Sequence, residues 1–256
     1  MKKIAIITGA SSGIGFGLAH LYAKQGYSLG LIARRIDLLD TLKIELEKEF
    51  NSEIFISACD VSDQHNVFNS ISKIIDHFGR VDVLIANAGV SLATPAYEAN
   101  AAHFEETIRT NVLGSGFSAY AVIPTMIKQQ SGHIAVISSL AGYRGLPEAG
   151  AYCSSKAAVN AFFESMRLDL KKFKINVSII RPGYIKSPMT DRNDFYMPLL
   201  QANDIGIQKI FKGIEKKKKI LSFPWPLAIL VRSLYFWPCW IYDLCLAGIS
   251  KKKRNF

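Results

Sequence analysis

The chain predicts an α/β fold: a doubly wound parallel sheet of about seven strands, helices on both faces, and an apolar helical tail at the C-terminus. Three observations lead there. Short apolar runs recur near residues 4–7, 28–33, 53–58, 81–86, 133–138 and 175–180. Stretches with helical spacing separate them, as in Leu38, Leu39, Leu42, Leu46 and Phe50. The length of 256 residues suits one domain of this kind, and no linker or internal repeat interrupts it. Strands alternating with helices call for a parallel sheet covered on both faces.

Ile4-Ala5-Ile6-Ile7 is read as a buried first strand. Thr8-Gly9-Ala10-Ser11-Ser12-Gly13-Ile14-Gly15 follows, and Leu18, Leu21 and Tyr22 then set a helical pattern. A glycine-rich turn between strand and helix leaves backbone N–H groups free to meet a pyrophosphate at the positive helix end. Its glycine spacing departs from the usual dinucleotide fingerprint. Met1-Lys2-Lys3-Ile4 looks like the charged start of a signal peptide. Cleavage there would remove the turn, so the segment is read as strand one.

The second strand ends in Ile32-Ala33-Arg34-Arg35, with no acidic residue to accept bonds from ribose hydroxyls. Two guanidiniums match the extra phosphate of NADP(H) and disfavour NAD(H). A solvent-facing Arg pair is the alternative. Asp37 is expected to cap the following helix. The third run, Ile54-Phe55-Ile56, leads to Asp60-Val61, and the fourth, Val81 to Ile85, leads to Asn87-Ala88-Gly89. Asn111 falls in a helix-like stretch, and Ser138-Ser139 follows the fifth run. Tyr152 and Lys156 come next, four apart on one helix face, so the ammonium is expected to lower the phenol's pKa. Arg181-Pro182-Gly183-Tyr184-Ile185-Lys186-Ser187 closes the sixth run.

Thr-Gly-x-x-x-Gly-x-Gly together with Tyr-x-x-x-Lys resembles the classical short-chain dehydrogenase/reductase family, over roughly residues 4–190. The resemblance implies a Rossmann-like catalytic domain over 1–224, with a substrate lid near 183–205. It implies a cofactor site built from Thr8, Gly9, Ser11, Ser12, Gly13, Ile14 and Gly15, with Asp60 and Val61 at the adenine. Asn87, Ala88 and Gly89 form the family's turn, although Ala86 stands where another Asn is usual. Pro182, Gly183, Ile185 and Ser187 would lie beside the nicotinamide, Ser187 replacing the commoner Thr. Ser139, thirteen residues before Tyr152, would bond the substrate oxygen while Tyr152 protonates it. Lys156 would also hold the nicotinamide ribose, and Asn111 would place a water linking Lys156 to solvent. The plainer alternatives are that Ser139 ends a strand and Asn111 is a buried group satisfied locally. A homodimer or homotetramer is implied as well. Two non-enzymatic readings stay open: a regulator that binds NADP(H) without turnover, and a membrane-attached scaffold.

Between Pro182 and Ile205 lie Tyr184, Met189, Phe195, Tyr196, Met197, Pro198, Leu199 and Leu200, a composition that suits a hydrophobic ketone or alcohol. Lys186, Asp191, Arg192 and Asp194 keep polar recognition open. Cys59, Cys153, Cys239 and Cys245 have no metal-ligand spacing, and no His pair stands at i, i+4, so no metal is expected. Free thiols fit a reducing cytosol.

Lys216–Lys219 leads into Ile220-Leu221-Ser222-Phe223, the expected last strand. The tail, 225–256, holds all three Trp (225, 237, 240) and ends in Lys251-Lys252-Lys253-Arg254 and two further residues. From Lys216 onward nine Lys/Arg oppose only Asp243, a net +8 of the chain's +10. The basic balance therefore belongs to this end and is not a nucleic-acid surface. A spanning helix needs ~20 uninterrupted apolar residues. Arg232, Asp243 and the prolines at 224, 226 and 238 break the run, though Arg232, Asp243 and Ser250 are spaced to share one helix face. Three placements stay open: contact with an anionic membrane surface on the cytoplasmic side, packing or dimerisation, and a true span.

Overall fold

The computed structural model describes residues 2–246. β1 (Ile4–Thr8) is buried along its whole length and pairs in parallel with β2 (Ser28–Ala33) and β4 (Val83–Ala86). β3 (Ile54–Ala58), β5 (Gly132–Ile137), β6 (Ile175–Pro182) and β7 (Ile220–Phe223) complete a parallel sheet in the order β3-β2-β1-β4-β5-β6-β7. Connections leave β1 in one direction toward β3 and in the other toward β7. The strand ends at this reversal therefore open a crevice, where open α/β sheets bind ligands.

Period-two alternation sends the side chains of β1 into two cores, which is why the strand is apolar without a break. Ala5 and Ile7 pack with Leu18 and Tyr22 of α1 (Gly13–Lys24), Leu42 of α2 (Ile36–Phe50) and Ile210 of α7 (Asn203–Glu215). Ile6 faces the opposite core with Ile74 of α3 (Gln64–Phe78), Val122 of α5 (Gly114–Gln129) and Phe163 of α6 (Gly150–Asp169). Local signals set the helix ends. Asp63 caps α3 by accepting from Asn66 N at 3.0 Å, and Gly79, at φ 74°, stops it. Asp37 is no cap: Arg35 holds that position of α2, and Asp37 sits in the first turn, where its charge suits the helix dipole. Between α4 (Ala101–Ile108) and α5, residues Arg109–Leu113 form one π-helical turn.

His133, at the start of β5, is buried with Nε2 2.8 Å from Ser178 Oγ. Burial, and then the charge of Lys217, push its pKa from 6.5 down to about 4. The unfolded chain binds this proton first, so stability present above pH 6.5 is lost as pH falls toward 4. The loss should approach ~3 kcal/mol. Urea melts across that range should show a steeper decline for the native chain than for His133→Gln. Parallel declines would remove His133 as the cause.

The tail is not one helix. α8 (Trp225–Ser233), a 3₁₀ turn at Leu234–Phe236 and α9 (Cys239–Leu246) are separated at Trp237-Pro238, so Arg232 and Asp243 share no continuous face. No helix among the described residues is long and apolar enough to cross a membrane. Ser250 and Lys251–Arg254 lie outside the described residues. Lys216–Lys219 forms the turn between α7 and β7, at the opposite end of β7 from α8. Lys219 is about 13 Å along the strand from Phe223.

Candidate active site

The turn after β1 is held by its neighbours. Thr8 Oγ1 accepts from Asn87 N at 3.0 Å and Ala88 N at 3.1 Å. Asn87 Nδ2 donates back to Thr8 O at 2.9 Å and Gly9 O at 3.2 Å. Gly9, at φ 67°, packs so closely that a Cβ there would lie 2.9 Å from Ala88 Cα. A Cβ on Gly15 would lie 2.3 Å from Gly9 O. Glycine is required at both positions, the first for conformation and the second for space. Ser12 caps α1 without using its side chain. Arg35 Nη2 donates to Ser11 Oγ and Ser12 Oγ, both at 3.0 Å, which lays its guanidinium over the turn. Arg34 lies 4.0 Å from Asp60 Oδ2 in an exposed pair, and Asp60 Oδ1 accepts from Ser62 N. Val61 is buried against Gly114, so a contact to a ligand from this position falls to its backbone. Ile14 packs against the core beneath the turn, and Gly13, at φ 59°, faces Ser187 Cβ.

The polar cluster forms where β5, α6 and the π turn meet. The Tyr152 phenol lies beside the Ser139 side chain, whose Oγ accepts from Ala141 N at 3.1 Å and donates to Pro182 O at 3.5 Å. Lys156, one turn along α6, is buried and donates from Nζ to Ile137 O at 2.9 Å. Its Nζ is 5.6 Å from the centre of the Tyr152 ring. Burial pushes the Tyr152 phenol up to about 12, while the neighbouring Ser139 side chain acts the other way. Burial brings Lys156 down to about 8. The expected lowering of the phenol by Lys156 is thus not the net result. The ammonium is aimed at a backbone carbonyl, and desolvation is the largest influence on the phenol.

Asn111 is fully buried on the π turn. Its Oδ1 accepts from Val90 N at 2.8 Å, and its Nδ2 donates to Val90 O at 2.9 Å and Ser155 Oγ at 3.0 Å. Local partners therefore satisfy the side chain. A Cβ on Gly89 would lie 3.1 Å from Asn111 Oδ1 and 3.7 Å from Lys156 Nζ, so this glycine keeps the two groups close. On the far side, Gly183 N donates to Phe223 O, and a Cβ on Gly183 would lie 3.0 Å from Leu227 Cδ2. Ile185 is buried, and Ser187 N donates to Thr190 Oγ1 at 2.8 Å.

Sequence reasoning missed the polar support behind α6. Ser138 Oγ donates to Asn160 Oδ1 at 2.8 Å, and Arg181 donates from Nε to the same oxygen at 3.0 Å and from Nη1 to Tyr143 OH at 2.9 Å. Asn160 stands one turn beyond Lys156 on the same helix face, and that spacing was the available signal. Among the described residues no His, Cys, Asp and Glu cluster is arranged to hold a metal.

A twisted parallel sheet with a glycine turn at its switch point defines an α/β protein of the dinucleotide-binding kind. The short chain dehydrogenase family model matches residues 3–195, and the chain belongs to that family: it is an oxidoreductase acting on CH–OH groups with a nicotinamide cofactor. An uncharacterized oxidoreductase of Myxococcus xanthus is 35% identical over 241 residues, covering 94% of this chain and 95% of that protein. An uncharacterized oxidoreductase of Mycobacterium tuberculosis is 34% identical over 240 residues, covering 93% and 94%. Among solved structures, the alcohol dehydrogenase of the archaeon Thermococcus sibiricus complexed with 5-hydroxy-NADP superposes with a TM-score of 0.79. Its identity is 28%, over 87% of this chain and 95% of that one.

Proposed function

We propose that the chain interconverts a carbonyl and a secondary alcohol on a hydrophobic substrate with NADP(H), using Ser139, Tyr152 and Lys156. The observation that carries this reading is the placing of Ser139 beside Tyr152 at the crevice, with Lys156 buried one turn behind. The residues fit a dinucleotide: the Gly9–Gly15 approach leaves no room for a Cβ, and Arg35 reaches over the turn. The backbone of 8–15 would hold the pyrophosphate, Arg34 and Arg35 the 2′-phosphate, Asp60 and Val61 the adenine. Asn87–Gly89, Lys156, and Pro182, Gly183, Ile185 and Ser187 would hold the nicotinamide riboside. When bound, the cofactor supplies or accepts the hydride. Ser139 donates a hydrogen bond to the substrate oxygen. Tyr152, pushed up to about 12, carries its proton at neutral pH and so stands ready to give it to that oxygen. The positive charge of Lys156 then favours the phenolate that forms. Asn111 supports the return of the proton by holding Val90 and Ser155 in place beside Lys156. A hydrophobic substrate is favoured by Met189, Tyr196, Leu199 and Leu200, all exposed in the segment beyond Pro182.

Calorimetric titration with NADPH, and with NADH as competitor, tests the cofactor choice. Arg35→Ala should weaken NADPH by about tenfold to a hundredfold, the worth of charge-assisted bonds, and leave NADH nearly unchanged. NADH equalling NADPH on the native chain would overturn the NADP(H) reading.

A further inference from the structure

Residues 225–246 form a two-faced layer. The inner face is already used. Leu227 and Ala228 of α8 pack on Leu140, with Tyr143 and Tyr184 beside them. Arg144, in the loop between Ser139 and Tyr152, donates to Leu234 O and to Trp237 O, and its guanidinium stacks 3.7 Å over the Tyr242 ring. The Tyr242 hydroxyl donates to Gly145 O. The outer face carries Trp225, Ile229, Tyr235, Phe236, Trp240 and Leu244, each between 63% and 77% exposed. A domain of this size has no core left for them to fill, because the inward positions are taken.

We propose that this outer face docks on an anionic lipid bilayer, lying in the headgroup layer with Lys251–Arg254 drawn to the lipid charge. Trp, Tyr and Phe are the side chains that settle at that depth. The pieces are too short to span, which suits a surface position. Charges within the described tail cancel, Arg232 against Asp243, and four consecutive basic residues begin five positions after Leu246. Five residues of extended chain span at most about 17 Å, which bounds the distance from Leu246 to the start of the basic run. A second copy fits less well, because it would bring two such basic runs together. Lys216–Lys219, at the other end of β7, takes no part.

Co-sedimentation of the full chain with vesicles tests this. The chain should pellet with phosphatidylcholine vesicles containing phosphatidylserine, and bind pure phosphatidylcholine at least about tenfold more weakly. Trp225→Ala, Phe236→Ala and Trp240→Ala combined should abolish binding. Changing Lys251, Lys252, Lys253 and Arg254 all to Gln should reduce it to the pure phosphatidylcholine level. NADPH titration of each variant should match the native chain, which keeps a failure here separate from a failure of the proposed function. The proposal is overturned if the native chain stays in the supernatant with the mixed vesicles, or if the aromatic triple variant binds as well as the native chain. A native dimer that the triple variant splits would likewise overturn it, assigning the face to a second copy.

Discussion

Tyr152→Phe is expected to lower turnover by about a hundredfold to ten-thousandfold, the range over which a positioned acid–base group contributes. The change removes one oxygen and keeps the ring, so its packing near Lys156, at 5.6 Å, is preserved. NADPH affinity should therefore stay within about twofold of the native value, well under one factor of ten in binding. Ser139 keeps its bonds with Ala141 N and Pro182 O, so it remains in place. The pH profile adds a second check. With the phenol at about 12, carbonyl reduction should hold through neutrality. It should decline as pH rises through about 8, where Lys156 gives up its charge. Turnover of the Phe variant within tenfold of native would show that another group donates the proton.

Gly15→Ala should be the most damaging single methyl in the chain. The added carbon would lie 2.3 Å from Gly9 O and 2.6 Å from Asn87 Nδ2. Neither can retreat, because Asn87 is tied to Thr8 O and Gly9 abuts Ala88. Overpacking of this kind costs roughly 1–3 kcal/mol, and here backbone must move. In a chain of this size the melting temperature should drop by about 3–10 °C. Displacing the start of α1 should also erase the heat of NADPH binding. Gly145→Ala is the control, since a Cβ there meets nothing within 4 Å. Unchanged melting and unchanged NADPH affinity for Gly15→Ala would refute the cradle.

The strands were legible because β1 and its neighbours are buried on both faces and so read as unbroken apolar runs. β7 was legible from the Lys cluster that precedes it. Tyr152 and Lys156 stood out by their i, i+4 spacing, and the family resemblance pointed to Ser139. Their ionisation did not, since it is set first by burial, with the Ser139 side chain acting on Tyr152 as well. The Asn160–Arg181 bond spans 21 residues and the Arg144 clamp spans 90 or more, and no local pattern encodes such pairs. Prolines announced that the tail is broken. Which of its faces turns inward depended on the loop that receives it.

The π turn at Arg109–Leu113 has a consequence of its own for how this helix can change. From Ala101 to Gln129 the helix runs on without a break, and a π turn holds one residue more than an α-helix of the same rise. That surplus residue is what aims Asn111 at Val90 and Ser155. Removing any one residue from the turn would leave a smoother helix, yet rotate every position on one side of the cut by about 100°. The easiest repair of the helix would thus dismantle the wall behind Lys156, so a single-residue irregularity is locked in by the side chain it points.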